Sequence, residues 1–107
     1  MPTLVLSGIA ASTGVRRGVV VKLEELSSRV PTNDDIVLVG EMIPPDASLV
    51  PRVCAIVTEE GGILCHGAVL AREMRIPCVV SVSQATELLT SGAWVTVDGT
   101  KGHVTTD

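Results

Sequence analysis

Thr58-Glu59-Glu60-Gly61-Gly62-Ile63-Leu64-Cys65-His66-Gly67-Ala68-Val69-Leu70-Ala71-Arg72-Glu73 is the stretch on which the fold turns: an apolar run has ended, two glycines follow, and a histidine opens a helix. Ahead of it, Val53-Cys54-Ala55-Ile56-Val57 is short, β-branched and continuously apolar, as a strand buried on both faces must be. Behind it, Gly67 to Met74 reads as a helix with small residues along one side, and Ile76-Pro77 stops it. Cys78-Val79-Val80-Ser81-Val82 is then a second buried strand. Strand, loop, helix and strand make a βαβ unit, whose reactive loop lies beyond the carboxyl end of the first strand. That places His66 at an exposed edge.

The residues around His66 suit phosphoryl chemistry. A neutral imidazole keeps a lone pair on one nitrogen, available for attack on phosphorus. A helix N-terminus offers unpaired N–H groups and the positive end of the dipole to a bound phosphate. Gly61, Gly62 and Gly67 lack a Cβ, so the backbone of a phosphate-cradling loop formed with Cys65 can approach an anion closely. The same pattern also surrounds structural histidines, and spacing alone does not separate the two.

The stretch Gly61 to Val80 resembles the signature of the phosphohistidine domain, also called the swivelling or mobile domain, of phosphoenolpyruvate-utilising enzymes. That family includes phosphoenolpyruvate synthase, pyruvate phosphate dikinase, rifampin phosphotransferase and the phosphoenolpyruvate-protein phosphotransferase of sugar transport. Gly8-Ile9-Ala10-Ala11-Ser12-Thr13-Gly14 is similar to the family's opening turn and Val97-Asp98-Gly99-Thr100-Lys101-Gly102 to its closing hairpin, so the resemblance covers nearly the whole chain. It implies an α/β fold, a compact swivelling β/β/α domain over residues 1–107, and a covalent phosphohistidine intermediate at His66. It also implies a carrier function: His66 takes a phosphoryl group at one site, the domain swings, and a second site removes it. The alternative is a regulatory or assembly module that keeps the fold without the chemistry. A small isomerase or hydratase on a swivelling fold would need an acid and base pair, and none converges in the sequence.

The resemblance implies no cofactor on this chain. Mg²⁺ and ATP or phosphoenolpyruvate would sit on partner domains, an ATP-grasp nucleotide-binding domain or a phosphoenolpyruvate-binding barrel, within one parent enzyme or on separate chains. The chain alone is therefore expected to show no turnover, whether it is a free-standing carrier or a domain of a larger enzyme. Three positions depart from the family pattern. Leu64 stands where plant-type dikinases carry a regulatory threonine, so that control is not expected. Gly67 replaces alanine or serine and loosens the first helical turn by roughly 0.5 to 1 kcal/mol. Arg75 replaces the glycine expected to end the helix in a left-handed conformation, which predicts a differently shaped helix end.

Competing readings of the loop have less in their favour. Cys65 and His66 diverge by about 100° around the helix axis, poor geometry for a thiol nucleophile and its base, so Cys65 is expected to cap or pack. The Gly-Lys-Ser/Thr ending of a nucleotide phosphate loop is missing. Arg72 matches an arginine of the family motif, but six residues after His66 it points to another side of the helix, and it is kept only as a lesser candidate.

Bulk properties bound the rest. A length of 107 residues with 46% hydrophobic content and a mean hydropathy of +0.47 is one domain with a generous core. Trp94 is the only Phe, Tyr or Trp, so aliphatic residues must fill that core. A net charge of −4, without a basic patch or aromatic platform, argues against nucleic acid or an anionic membrane as partner. The three cysteines, Cys54, Cys65 and Cys78, have neither metal-binding spacing nor an even count, no metal site is expected, and the chain reads as cytoplasmic and reduced. Neither a signal peptide nor a membrane span is legible. Strands are expected at 4–6, 18–23, 36–39 and 93–97, with residues 8–14 a turn and a hairpin at 98–102 leading to a final strand at 103–105. A helix from Ser83, its cap, to Leu89 and a short helix capped by Asp46 complete the reading. His103 belongs on a strand surface.

Overall fold

In the computed structural model, which describes residues 4–22, 36–41 and 53–106, the chain forms β1 (Val5–Ser7), β2 (Ile9–Ser12), β3 (Val15–Lys22), β4 (Ile36–Gly40), β5 (Val53–Thr58), α1 (His66–Met74), β6 (Cys78–Val80), α2 (Ala85–Leu88), β7 (Trp94–Asp98) and β8 (His103–Thr106). The valine-rich runs take the centre, where both faces are covered. β3, β4, β5 and β6 are parallel neighbours, and every residue of β5 is buried. The βαβ unit is thus β5–α1–β6, with Ile56 opposite Cys78 and Val57 opposite Val79. The short helix expected near Asp46 lies outside the described residues.

The strand order is β1-β8-β7-β3-β4-β5-β6-β2. Its two outermost members are separated in sequence by Gly8 alone, so one extended stretch closes the sheet on itself. Its first half pairs antiparallel with β8 (Leu6 opposite Val104), its second half with β6 (Ala10 opposite Val79). The expected turn over 8–14 is therefore corrected: Ile9 to Ser12 is a strand, and Gly8 is where it passes from one partner to the other. A Cβ on Gly8 would strike the Val80 carbonyl and lie 2.7 Å from Cγ2 of Val82, while its N–H donates to the Gly102 carbonyl at 2.9 Å. The β7–β8 hairpin, with Asp98 Oδ1 accepting the N–H groups of Thr100 and Lys101, folds against the same crossing. A Cβ on Gly99 would run into the Ser12 carbonyl.

Alternation along the central strands divides the core in two. Val37, Val39, Val57 and Val79 face the inside of the closed sheet with Val20, Val95, Val97 and Val104. Leu38, Ile56, Cys78 and Val80 face the other way, onto Ala68 and Ala71 of α1 and Ile76 beyond it. The small residues on one side of α1 let the helix lie close to that face. Two β layers and one helical layer result, the β/β/α arrangement expected, filled almost wholly by aliphatic side chains.

Candidate functional site

The loop after β5 is held at its base by the sheet. Glu59 and Glu60 N–H groups donate to the Gly40 and Glu41 carbonyls at 3.0 and 2.9 Å, carrying the β4–β5 ladder two residues past the strand. The Thr58 hydroxyl donates to the Glu60 carbonyl at 2.7 Å. Gly61 has φ +106°, and a Cβ there would lie 2.9 Å from Cβ and Sγ of Cys65. Glycine is required at that position twice over. A Cβ on Gly62 would meet nothing within 4 Å, and neither it nor Gly67 has a positive φ, so the cradle depends on Gly61 more than on its neighbour. A bond from Cys65 N–H to the Gly62 carbonyl (3.0 Å) closes a turn with Ile63 and Leu64 at its corners.

His66 is the first residue of α1 and is half-buried. Cys65 precedes it in extended conformation and its side chain makes no capping bond; it packs against the core beneath the helix. The first intrahelical bond runs from Val69 N–H to the Cys65 carbonyl, which leaves the N–H groups of His66, Gly67 and Ala68 without an intrahelical acceptor. No acidic residue occupies the first turn, so nothing there offsets the positive end of the helix. An imidazole, a left-handed glycine and three free amides thus meet at the carboxyl end of the parallel strands.

Arg72 is not brought to this loop. Its Nη1 donates to the Ala11 carbonyl at 2.9 Å, fastening α1 to β2, and it lines a cavity of about 370 Å³ with Ser12, Thr13, Arg75 and Thr100. Arg75 corrects the expectation of an altered helix end. It adopts φ 60°, ψ 42°, the left-handed conformation of the glycine it replaces, its N–H bonding the Arg72 carbonyl and that of Ile76 the Ala71 carbonyl. This pairing satisfies two terminal carbonyls, and burial of Ile76 onto the α1 face offsets the roughly 1 to 2 kcal/mol that a Cβ costs in that conformation.

Burial, and then the nearby Cys65 sulfur, push the Cys78 thiol up to about 12, against a smaller opposing pull from Arg72. It stays protonated and serves as packing. His103 lies in β8 opposite Asp98, directly after the β7–β8 hairpin. Among the described residues no group of three or more His, Cys, Asp or Glu is arranged to hold a metal ion.

The acidic rim beside the loop escaped the sequence reading. Glu41, Glu59 and Glu60 line a cavity of about 480 Å³ with Ser81, Ser83 and Gln84. Glu59 accepts the Thr86 N–H at 2.8 Å and the Thr86 hydroxyl, and so caps α2. Ser83, the expected cap, is exposed, and Gln84 precedes the helix at φ 60° without a capping bond. A cap supplied from 27 residues away leaves no local signal.

Residues 30–102 match the family model described as PEP-utilising enzyme, mobile domain. The phosphoenolpyruvate synthase of Pyrococcus furiosus is 43% identical over 104 residues, 94% of this chain and 12% of that protein. A probable phosphoenolpyruvate synthase of Archaeoglobus fulgidus is 43% identical over 106 residues, 94% of this chain and 14% of its own length. The chain spans about one eighth of the length of these curated relatives. Among solved structures, the solution structure of an Enzyme I protein, nEIt, superposes with a TM-score of 0.62 at 29% identity, covering 70% of this chain and 31% of that one. No helix among the described residues is long and apolar enough to cross a membrane.

Proposed function

This chain belongs to the family of PEP-utilising enzyme mobile domains, and from that premise we propose that His66 is its phosphoryl-carrying residue. The observation that supports this is the place of His66 at the first position of α1, with three unpaired amides beside it and Gly61 folding the loop back. A ring nitrogen of His66 attacks the phosphorus of a donor phosphate. A P–N bond forms, the donor's P–O bond breaks, and its oxygen leaves with the electron pair while the other ring nitrogen keeps its proton. The free N–H groups of His66, Gly67 and Ala68 receive the transferred oxygens. An acceptor oxygen then attacks the same phosphorus, the P–N bond breaks, and the neutral imidazole is restored.

Nucleotide, Mg²⁺ and phosphoenolpyruvate belong to other domains in this reading, an ATP-grasp domain and a phosphoenolpyruvate-binding barrel, so the chain is a carrier without turnover of its own. Gly61, Gly62, Cys65 and Gly67 shape the cradle, and Arg72 contributes through the fold. The reading is tested by intact-mass spectrometry at neutral to alkaline pH, after incubation with Mg²⁺ and ATP or phosphoenolpyruvate plus a family donor domain. One phosphoryl adduct is expected on the wild type, lost on brief acid treatment and absent from a folded His66→Ala chain. An adduct that persists in His66→Ala overturns the assignment.

A further inference from the structure

The reactive loop carries the most exposed large apolar side chain among the described residues: Leu64 is 84% exposed, and Ile63 beside it 53%. Their turn is not slack. The Cys65-to-Gly62 bond closes it, Gly61 holds it in the left-handed region, and Cys65 packs into the core below. Two aliphatic side chains are thereby presented to water two and three residues before His66. Burying such a side chain is worth about 1.5 to 3 kcal/mol.

The charges on this end are acidic. Glu60 precedes the glycine pair, its N–H bonds the Glu41 carbonyl, and both side chains are exposed. Glu59 is taken up by α2, and Lys22, half-buried at the end of β3, is already engaged. The exposed Arg72 and Arg75 lie at the other end of α1, which is about 13 Å long at 1.5 Å per residue. A free anion gains nothing from the rim of Glu41 and Glu60. A surface that itself binds phosphate is cationic at its mouth and complements it.

We propose that the Ile63–Leu64 turn, bordered by Glu41 and Glu60, is the element that seats this chain on its phosphoryl-donor domain, entering an apolar pocket edged by Lys or Arg at the mouth of the donor's phosphate site. The proposal rests on the carrier reading of His66. The donor is the partner it fits, because His66 must reach the donor before it carries a phosphoryl group. At that stage attraction has to come from the loop's own side chains. At the acceptor the phosphoryl group brings its own negative charge. An apolar turn seated beside the reacting phosphorus also keeps water from taking the phosphoryl group in place of the imidazole.

The test compares two donors for one histidine. Phosphoramidate, a small phosphoryl donor, needs no docking; a donor domain chosen because it loads the wild-type chain with ATP and Mg²⁺ does. Leu64→Ser is expected to be labelled by phosphoramidate at the wild-type rate, and by the donor domain with kcat/KM lowered about 10- to 100-fold, mainly through KM, as loss of a buried leucine implies. Leu64→Met should recover most of the loss. The double variant Glu41→Gln/Glu60→Gln should weaken loading and flatten its dependence on salt. Unchanged loading of Leu64→Ser by the donor domain overturns the proposal, and so does equal slowing with both donors, which would place the effect on His66 itself. Loading by the donor domain that persists in a folded His66→Ala chain removes the carrier reading, and the docking proposal with it.

Discussion

The two ends of α1 are built on opposite terms. At its start the chain is open: a Cβ on Gly62 would meet nothing within 4 Å, Leu64 stands in water, and the helix begins without a side-chain cap. At its end everything is tied. Arg72 reaches the Ala11 carbonyl, Arg75 accepts a left-handed backbone, Ile76 is buried, and Pro77 lies against Gly14 and Gly99 where the hairpin crosses β2. The proposed carrier role asks for room around His66, and for a rigid base to hold it still. One helix provides both, because its length separates the two demands.

That contrast can be broken by substitution, most forcefully at the tied end. Gly99→Ala would drive a Cβ into the Ser12 carbonyl between two backbones that cannot both move, and should cost roughly 3 to 5 kcal/mol in urea denaturation. Gly62→Ala, on the same measure, should cost under about 1 kcal/mol. Equal losses would show that the loop is as constrained as the hairpin crossing. Arg72→Met removes the bond to Ala11 while keeping much of the side-chain bulk. It should destabilise by about 1 to 3 kcal/mol and leave phosphoryl loading of the folded chain unchanged. A lower loading rate in folded protein would bring Arg72 back to the phosphate. The smallest effect, Arg75→Gly, should have the opposite sign: relief of the left-handed backbone, set against a freer unfolded chain, stabilises by about 0.5 to 1 kcal/mol. A loss of stability there would mean that the Arg75 side chain does more at the cavity than line it.

Most of the βαβ unit was legible, because its signals are local. Val53 to Val57 is an unbroken apolar run, Pro77 forbids a longer helix, and Asp98-Gly99 turns a hairpin; the strands, helix and hairpin formed within a few residues of the expected bounds. His66 fell where a strand-loop-helix reading puts it. β2 was hidden because Ala10, Ala11 and Ser12 have little strand propensity of their own, and they are extended because β6 lies beside them. The Glu59 cap of α2 and the hold of Arg72 on β2 join residues 27 and 61 positions apart, and no pattern along the chain marks either.

By itself, then, the sequence determined the elements whose causes lie within a few residues: buried strands from apolar runs, a helix start from a glycine loop and a helix stop from proline, and with them the position of His66 at the helix start. Only the tertiary structure decided how the sheet closes through Gly8, which end of α1 is anchored and which is free, and why a non-glycine residue can end the helix. The physical reason is one of range. Backbone preference and turn chemistry act between neighbours and leave a trace in the order of residues, whereas hydrogen bonds and steric limits between distant segments exist only once packing has brought those segments together.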